Sequence, residues 1–522
     1  MIDQSVDELW RRAQILMGAG ETTRARGVLE ALLQRQPGHA AAHMTLSHIA
    51  WADGRVRDAA RHALNAARDP PAEPMAIIAV AMALLRVGET LAARTCLEHP
   101  ALVQADAGPV MMYHAGVRRE LGEDAESLKL LNRAHELRVD GAEFRFARGL
   151  EFLICGHLQE AEADFEASLR MDPAACAATL ELARLCKQTP DHNHLDDFNR
   201  RRSLVVQGSQ DHAALEFARY KELEDVGRYD EAWKALAKGN AVMRDLHPWA
   251  AEQTRHQVDR LIEVCTPAFF ESAPEVHEES QPIFLFGLPR SGTTLLDRLL
   301  GGHSQVVSAG ELEDFARQLC WAADQRALLD ARMLDRLPEL DYREIGRRYL
   351  ARTQWRARGA RFFIDKQPWH HMVTGLIHRA LPHARLLHLV RDPMDVCFSN
   401  YRALLGARHA YSFDLPTLAG HFRQYERLLA HWHEVMPGKI LDVPYRDLVC
   451  DTETTMREVV EFCGLEWEST CLDPSRNTTP IGTLSAMQAR GAIHGDFGAW
   501  RRYERHLVAL RTALDADFPW SA

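Results

Sequence analysis

The residues best suited to chemistry begin at Gly287-Leu-Pro-Arg-Ser-Gly292, followed by Thr293 and Thr294. The loop lies between the apolar run Ile283 to Phe286 and a second apolar stretch, Leu295 to Leu300. Strand, Gly-x-x-x-x-Gly and helix together form an anion cradle, because the free backbone N–H groups at a helix start point at the ligand. Arg290 adds positive charge, so Arg290, Ser291, Gly292, Thr293 and Thr294 are the candidate phosphate contacts. A nucleotide hydrolase carries Lys and then Ser or Thr after the second glycine. Threonines stand there instead, which argues against an ATPase or GTPase. A second unit is Leu386 to Val390, a buried-strand pattern ending in Arg391, with Ser399 eight residues on in a helix from Asp395. Open α/β sheets bind ligands at the carboxyl ends of their strands. An arginine there, with a hydroxyl nearby, makes a monophosphate clamp. Taken alone, Arg391 and Asp392 also read as a surface turn.

Lysine usage marks one more position. The chain has 7 Lys against 55 Arg, and Lys366 is the only lysine between Lys238 and Lys439.

The elements that position these residues follow a long first half with a clear period. Gly20, Gly54, Gly88, Gly122 and Gly156 recur every 34 residues, each followed five residues later by Ala25, Ala59, Ala93, Ser127 or Ala161. Pro37, Pro71 and Pro173 keep the same phase. Glycine turns the chain between two helices, the small residue lets the second pack closely, and proline ends it. This period resembles the tetratricopeptide repeat, a helical hairpin whose stacked array offers a concave face to a partner. The phase breaks after Pro173 and resumes, shifted, at Gly227 and Ala232. The acidic stretch ESAPEVHEES then reads as linker.

Composition bounds the rest. The 522 residues carry a net charge of −11, with 26% charged and 46% hydrophobic residues, an ordinary folded composition without a basic field for nucleic acid or anionic lipid. The start, MIDQSVDELWRR, lacks the apolar core of a signal peptide. The longest apolar run, Met75 to Leu85, falls short of the roughly 18 residues that span a bilayer. Ten scattered cysteines without a CxxC pair fit reduced thiols and carry no zinc signature. A cytoplasmic chain, with no membrane and no nucleic-acid partner, is the expectation.

FGLPRSGTTLL followed by LVRDPMDVCFSNY resembles the sulfotransferases that use 3′-phosphoadenosine 5′-phosphosulfate (PAPS), over roughly residues 281 to 515. The resemblance is strongest to the branch of tyrosylprotein sulfotransferases and bacterial proteins with tetratricopeptide repeats fused in front. It implies that the first loop holds the 5′-phosphosulfate and that Arg391 and Ser399 hold the 3′-phosphate. It implies Glu311, in SAGELEDF, as catalytic base. Lys366, in FFIDKQPWHH, and Arg290 would stabilise the transferring sulfonate, and a compact ammonium at the bridging oxygen is not replaced well by a planar guanidinium. Tyr445 falls near the nucleotide, and Ser485, with Gln488 three residues on, matches a serine assisting transfer. Arg501 and Arg502, in GAWRRYERHL, match a closing segment over the nucleotide.

Three departures stand out. Pro368 is followed by Trp369 and His370 where relatives show Pro-x-Asn, Ala403 with Arg402 beside it replaces a later arginine, and the loop ARGAIHGDFGAW differs in charge. Cytosolic small-molecule sulfotransferases use histidine as base, so His303, His370 and His371 are the alternatives to Glu311.

The expected architecture is α followed by α/β. An all-α tetratricopeptide solenoid spans 1–245, a linker 246–280, and a P-loop-like three-layer α/β sulfotransferase domain with a parallel sheet 281–522. The expected reaction is sulfonate transfer from PAPS to an acceptor hydroxyl, releasing adenosine 3′,5′-bisphosphate and needing no metal. The acceptor the resemblance implies is a tyrosine of a peptide or protein held by the repeats, with a saccharide or small molecule as alternatives. An inert nucleotide-binding or protein-interaction module and a phosphotransferase are the rival readings. A peptide or protein on the concave face and a homo-oligomer are the partners such repeats suggest.

Overall fold

The structure is a computed structural model that describes residues 5–271, 281–477, 479–480, 482, 495 and 497–515. Residues 5–271 are built of helices joined by turns and loops, in antiparallel hairpins such as Val6–Gly18 with Thr22–Arg35 and Ala40–Ala52 with Val56–Arg68. The periodic glycines turn these hairpins: Gly20, Gly54, Gly88, Gly122 and Gly156 have φ between 74° and 91°. That is the left-handed region, which a side chain resists. The small residues five positions on, Ala25, Ala59, Ala93, Ser127 and Ala161, are all buried, where a larger side chain would push the paired helices apart.

Chain contacts divide the protein into two compact units that do not part at residue 245. Of the described residues, the first unit comprises 5–139 and 312–356; the second comprises 140–271, 281–311 and those from 357 onward. The first therefore includes helices Asp314–Ala323 and Tyr342–Thr353, which belong to the second half of the sequence. They are joined to the repeat helices by polar contacts. Thr90 donates to Asp314 at 2.9 Å, Gln318 to the Gly88 carbonyl at 2.9 Å, and Arg348 and Arg352 reach the buried Glu89 at 2.7 and 2.6 Å.

The second unit holds the remaining repeat-like helices and a five-stranded sheet, all parallel, in the order β2-β3-β1-β4-β5. The strands are β1 Gln281–Phe286, β2 Val306–Ser308, β3 Phe362–Lys366, β4 Arg385–Val390 and β5 Ile440–Pro444. The residues of the central strands β1, β3 and β4 are largely buried on both faces, as parallel strands covered by helices must be. Ile283, Leu285, Leu387 and Leu389 pack with Leu296 and Val459 on one face. On the other, Phe284 meets the His370 ring, and His388 meets Tyr425 of helix Leu415–Val435. The three-layer α/β expectation describes this half. The connection after β1 runs toward β2 and the one after β4 toward β5, so the sheet reverses direction between β1 and β4. Ligands bind outside the strand ends at such a point.

Within the span expected as linker, residues 251–264 form a helix, Ala251–Val264. Thr254, Val258 and Leu261 form its buried stripe, and Asp259 pairs with Arg427 at 2.6 Å. Its apolar period is short, and the acidic composition that reads as linker is confined to the end of the span. Among the described residues, no helix is long and apolar enough to cross a membrane.

Candidate active site

The loop 287–292 leaves β1 at the reversal point, and helix Thr293–Leu300 starts directly after it. The loop is pressed against the sheet. A Cβ on Gly287 would lie 2.8 Å from the Leu389 carbonyl oxygen, and one on Gly292 would lie 2.4 Å from the Tyr445 ring. Gly292 also has φ +109°, so glycine is required there twice over. Arg290 takes φ 67°, a conformation that costs a non-glycine residue about 1–3 kcal/mol and is typical of functional loops. Thr293 and Thr294 are buried at the helix start. The Ser291 hydroxyl is buried with no hydrogen-bond partner among the described residues.

Positive charge is concentrated around this loop. Burial pushes the Arg290 guanidinium down to about 9, and Arg402, Arg184 and Arg391 push it the same way. Arg402 and Arg184 also pair with Glu224 and Glu181, at 3.6 and 2.9 Å, and the guanidinium charge gathered at the loop favours a bound anion. Arg391 donates to the Arg290 carbonyl at 2.9 Å, and its guanidinium lies 4.7 Å from the centre of the Tyr445 ring. Asn400, next to the buried Ser399, donates to the Pro289 carbonyl at 2.6 Å. The two strand-end segments are therefore joined directly. Arg184 lies in no sequence motif, and Asn400 and Arg402 stand at and just beyond the end of LVRDPMDVCFSNY.

Arg391, Tyr445 and Arg501 line one cavity of about 110 Å³, with Asp395 and Phe497. Gly498 donates its N–H to Asp395 at 2.8 Å, which ties the segment carrying Arg501 to helix Pro393–Tyr401. Arg502 does not line this cavity; its guanidinium lies 5.8 Å from the centre of the Tyr229 ring. Ser485 and Gln488 lie outside the described residues.

At the ends of β2 and β3, Lys366 Nζ donates to Glu311 Oε1 at 2.6 Å. Lys366 is 2% exposed, while the Glu311 side chain is 39% exposed and open to solvent. Parallel pairing places them: beyond Ser308 the ladder continues from Ala309 N–H to the Ile364 carbonyl and from Lys366 N–H to the Gly310 carbonyl, both 2.9 Å. Lys366 lies opposite Leu285 in the β1 register, close to the start of the glycine loop. Asp297, on the helix after that loop, is fully engulfed; burial raises its carboxyl, and Lys366 offsets part of that rise. No sequence pattern marked Asp297.

The alternative bases lie in other settings. Both ring nitrogens of His303 are engaged, with the Glu466 carbonyl at 2.8 Å and the Gln305 N–H at 3.1 Å. Burial pushes His370 down to about 3 and His371 to about 4. His370 sits edge-on to Phe284 and Trp369, and His371 contacts the Pro368 carbonyl at 3.1 Å. The histidine that feels the Glu311 charge is His409, which burial holds at about 4. It stands in a 3₁₀ segment, Ala407–Phe413, without a sequence signature.

Residues 282–469 match the model of the Sulfotransferase family. The chain is 32% identical over 321 residues to an uncharacterized protein of Aquifex aeolicus (strain VF5), covering 59% of this chain and 42% of that one. It is 25% identical over 214 residues to protein-tyrosine sulfotransferase 2 of Gallus gallus, covering 37% of this chain and 54% of that one. The aligned parts thus span about half the length of these relatives. Among solved structures, the sulfotransferase domain of the Synechococcus PCC 7002 olefin synthase aligns at 20% identity and a TM-score of 0.29, covering 48% of this chain and 99% of that one.

Proposed function

We propose that this chain transfers a sulfonate group from PAPS to an acceptor hydroxyl, releasing adenosine 3′,5′-bisphosphate. The observation that carries the reading is the Lys366–Glu311 contact at 2.6 Å, beside a glycine loop ringed by arginines. The loop residues fit an anionic group: the unpartnered Ser291 hydroxyl, the crowded guanidinium charge and the glycines pressed to the sheet all favour phosphate-like oxygens.

Bound PAPS supplies an activated sulfonate and a phosphate leaving group. Arg290, Ser291, Thr293, Thr294 and the loop N–H groups bind the phosphosulfate end. Arg391 and Ser399 grip the 3′-phosphate, with Tyr445 beside the nucleotide and Arg501 closing over it. Glu311, exposed on its outer side, takes the proton of the acceptor hydroxyl. The acceptor oxygen forms its bond to sulfur as the bond from sulfur to the 5′-phosphate oxygen breaks. Lys366 neutralises the charge that appears on that departing oxygen, an electrostatic contribution of the kind that usually dominates such transfers. Ser485 would donate to the same oxygens.

The acceptor we favour is a tyrosine side chain in a peptide or protein, with the helical repeats as its holding surface. Similarity to a protein-tyrosine sulfotransferase and the placement of Glu311 support that choice.

The test is Glu311→Gln assayed with labelled PAPS and a panel of tyrosine peptides, saccharides and phenols. Turnover should fall about 10²–10⁴-fold, the usual contribution of a positioned base, with affinity for adenosine 3′,5′-bisphosphate unchanged. Full activity in that variant would remove the base. A wild-type thermal shift with ATP, and none with adenosine 3′,5′-bisphosphate, would remove the sulfonate reading.

A further inference from the structure

Away from the strand-end cleft, three metal-ligating side chains converge on the flank of the sheet. His388 comes from the middle of β4, Asp442 from the middle of β5, and His433 from the last turn of helix Leu415–Val435. His388 Nδ1 lies 2.7 Å from Asp442 Oδ1, and His433 Nε2 lies 3.2 Å from the same carboxylate. One ligand atom from each residue falls within 4.8 Å of the other two. We propose that His388, His433 and Asp442 form a binding site for a zinc-class divalent transition metal.

The chemistry of the set selects that class. Two imidazoles and one carboxylate suit zinc and its neighbours, whereas calcium and magnesium take oxygen ligands. Bonds of about 2.0–2.1 Å to a tetrahedral ion place ligand atoms roughly 3.3 Å apart. His433 and Asp442 already stand at that separation, and a small opening of the His388 contact admits the ion. Exposure is graded in a useful way. His388 is 4% exposed, while the side chains of His433 and Asp442 are 38% and 46% exposed. A rigid buried ligand and two accessible ones give an entry path and leave the remaining coordination to water.

The surroundings of His388 also fit. Its ring stacks on Phe286 with centroids 5.4 Å apart, and its Nε2 contacts the Tyr425 hydroxyl. A histidine that ligates through Nδ1 holds its proton on Nε2 and needs an acceptor there, and the Tyr425 oxygen supplies one. Metal binding needs Nδ1 free of a proton. Tyr425 is bonded in turn to the backbone of Leu288, in the glycine loop. An ion at this site would sit two residues away from the candidate nucleotide cradle. The inference does not depend on what that cradle binds.

The experiment uses the full chain, stripped of metal with a chelator and titrated with Co²⁺ by visible absorption and with Zn²⁺ by calorimetry. One equivalent of each should bind, with the Co²⁺ spectrum showing the intense d–d bands of a four- or five-coordinate ion. Asp442→Asn and His433→Gln, both on half-exposed side chains, should each weaken binding by more than about 100-fold with far-UV circular dichroism unchanged. Tyr425→Phe keeps all three ligands and should weaken binding about 10–100-fold, the usual effect of losing an outer partner. A spectrum of hydrated Co²⁺ alone would mean a purely hydrogen-bonded triad and overturn the site. So would binding that survives both ligand substitutions, because the ion would then lie elsewhere among the 26 histidines.

Discussion

Lys366 and Glu311 are 55 residues apart in sequence and 2.6 Å apart in space. Their contact follows from two adjacent parallel strands whose ends stay paired for two residues beyond β2. Of the residues between them, 312–356 belong to the compact unit of the first repeats. The pair is therefore held by the sheet, not by the sequence that joins its members.

If Lys366 acts on the departing oxygen, its shape matters as much as its charge. Lys366→Arg should lower kcat about 10²–10³-fold, the cost of removing one preorganised donor. Affinity for adenosine 3′,5′-bisphosphate should change by only a few fold. Steady-state kinetics with calorimetry of the same variant checks both numbers, and wild-type kcat in Lys366→Arg would refute the role.

Gly292→Ala is the sharpest test of the cradle. The added methyl would overlap the Tyr445 ring and sit on a backbone with φ +109°. Destabilisation of about 1–3 kcal/mol is expected from the overlap and strain. The thermal shift given by adenosine 3′,5′-bisphosphate should disappear. A shift equal to wild type would show that the loop does not touch the ligand.

Glu89 supports the first unit. Its carboxylate is 5% exposed and accepts from Arg348 and Arg352, and the Arg348 guanidinium lies 3.5 Å from the centre of the Trp321 ring. Removing one partner of a buried ion pair typically costs about 3–5 kcal/mol, because the other charge stays buried. Glu89→Ala should lower the urea midpoint of that unit accordingly. An unchanged midpoint would mean that water or another carboxylate replaces it.

Buried neutral histidines make stability depend on acidity. Burial lowers His62, His114 and His378 to about 4, and His370 to about 3, from an ordinary 6.5. Between those values the unfolded chain binds protons that the folded one does not, so their contribution is complete above pH 6.5 and lost as pH falls toward 4. The limiting slope is about 1.4 kcal/mol per pH unit for each histidine. Urea melts from pH 8 to pH 4 should show a steep loss below 6.5. A flat profile would contradict these burials.

Local patterns carried much of this protein. The 34-residue phase needs only neighbours in sequence: a left-handed glycine, a small residue and a helix stop, all of which recur in the hairpins. The glycine loop between strand and helix is equally local, and so is Arg391 at a strand end. Lys366 showed itself through composition, as the only lysine between Lys238 and Lys439 in an arginine-rich chain.

Only the tertiary structure decided what those residues face. Arg184 reaches the field of Arg290 from a helix that no short motif connects to it. The helix Ala251–Val264 hid in a span whose acidic end reads as linker, because its three-residue stripe is meaningful only once a partner covers it. The grouping of 312–356 with the first repeats brings Glu89, Thr90 and Gln318 into polar contacts across more than 200 residues. His388, His433 and Asp442 meet because β5 pairs with β4 and one helix lies across that edge. Sequence periodicity reports on turns and faces within an element. Which elements become neighbours is set by strand order and packing, and proximity of that kind leaves no regular spacing in the chain.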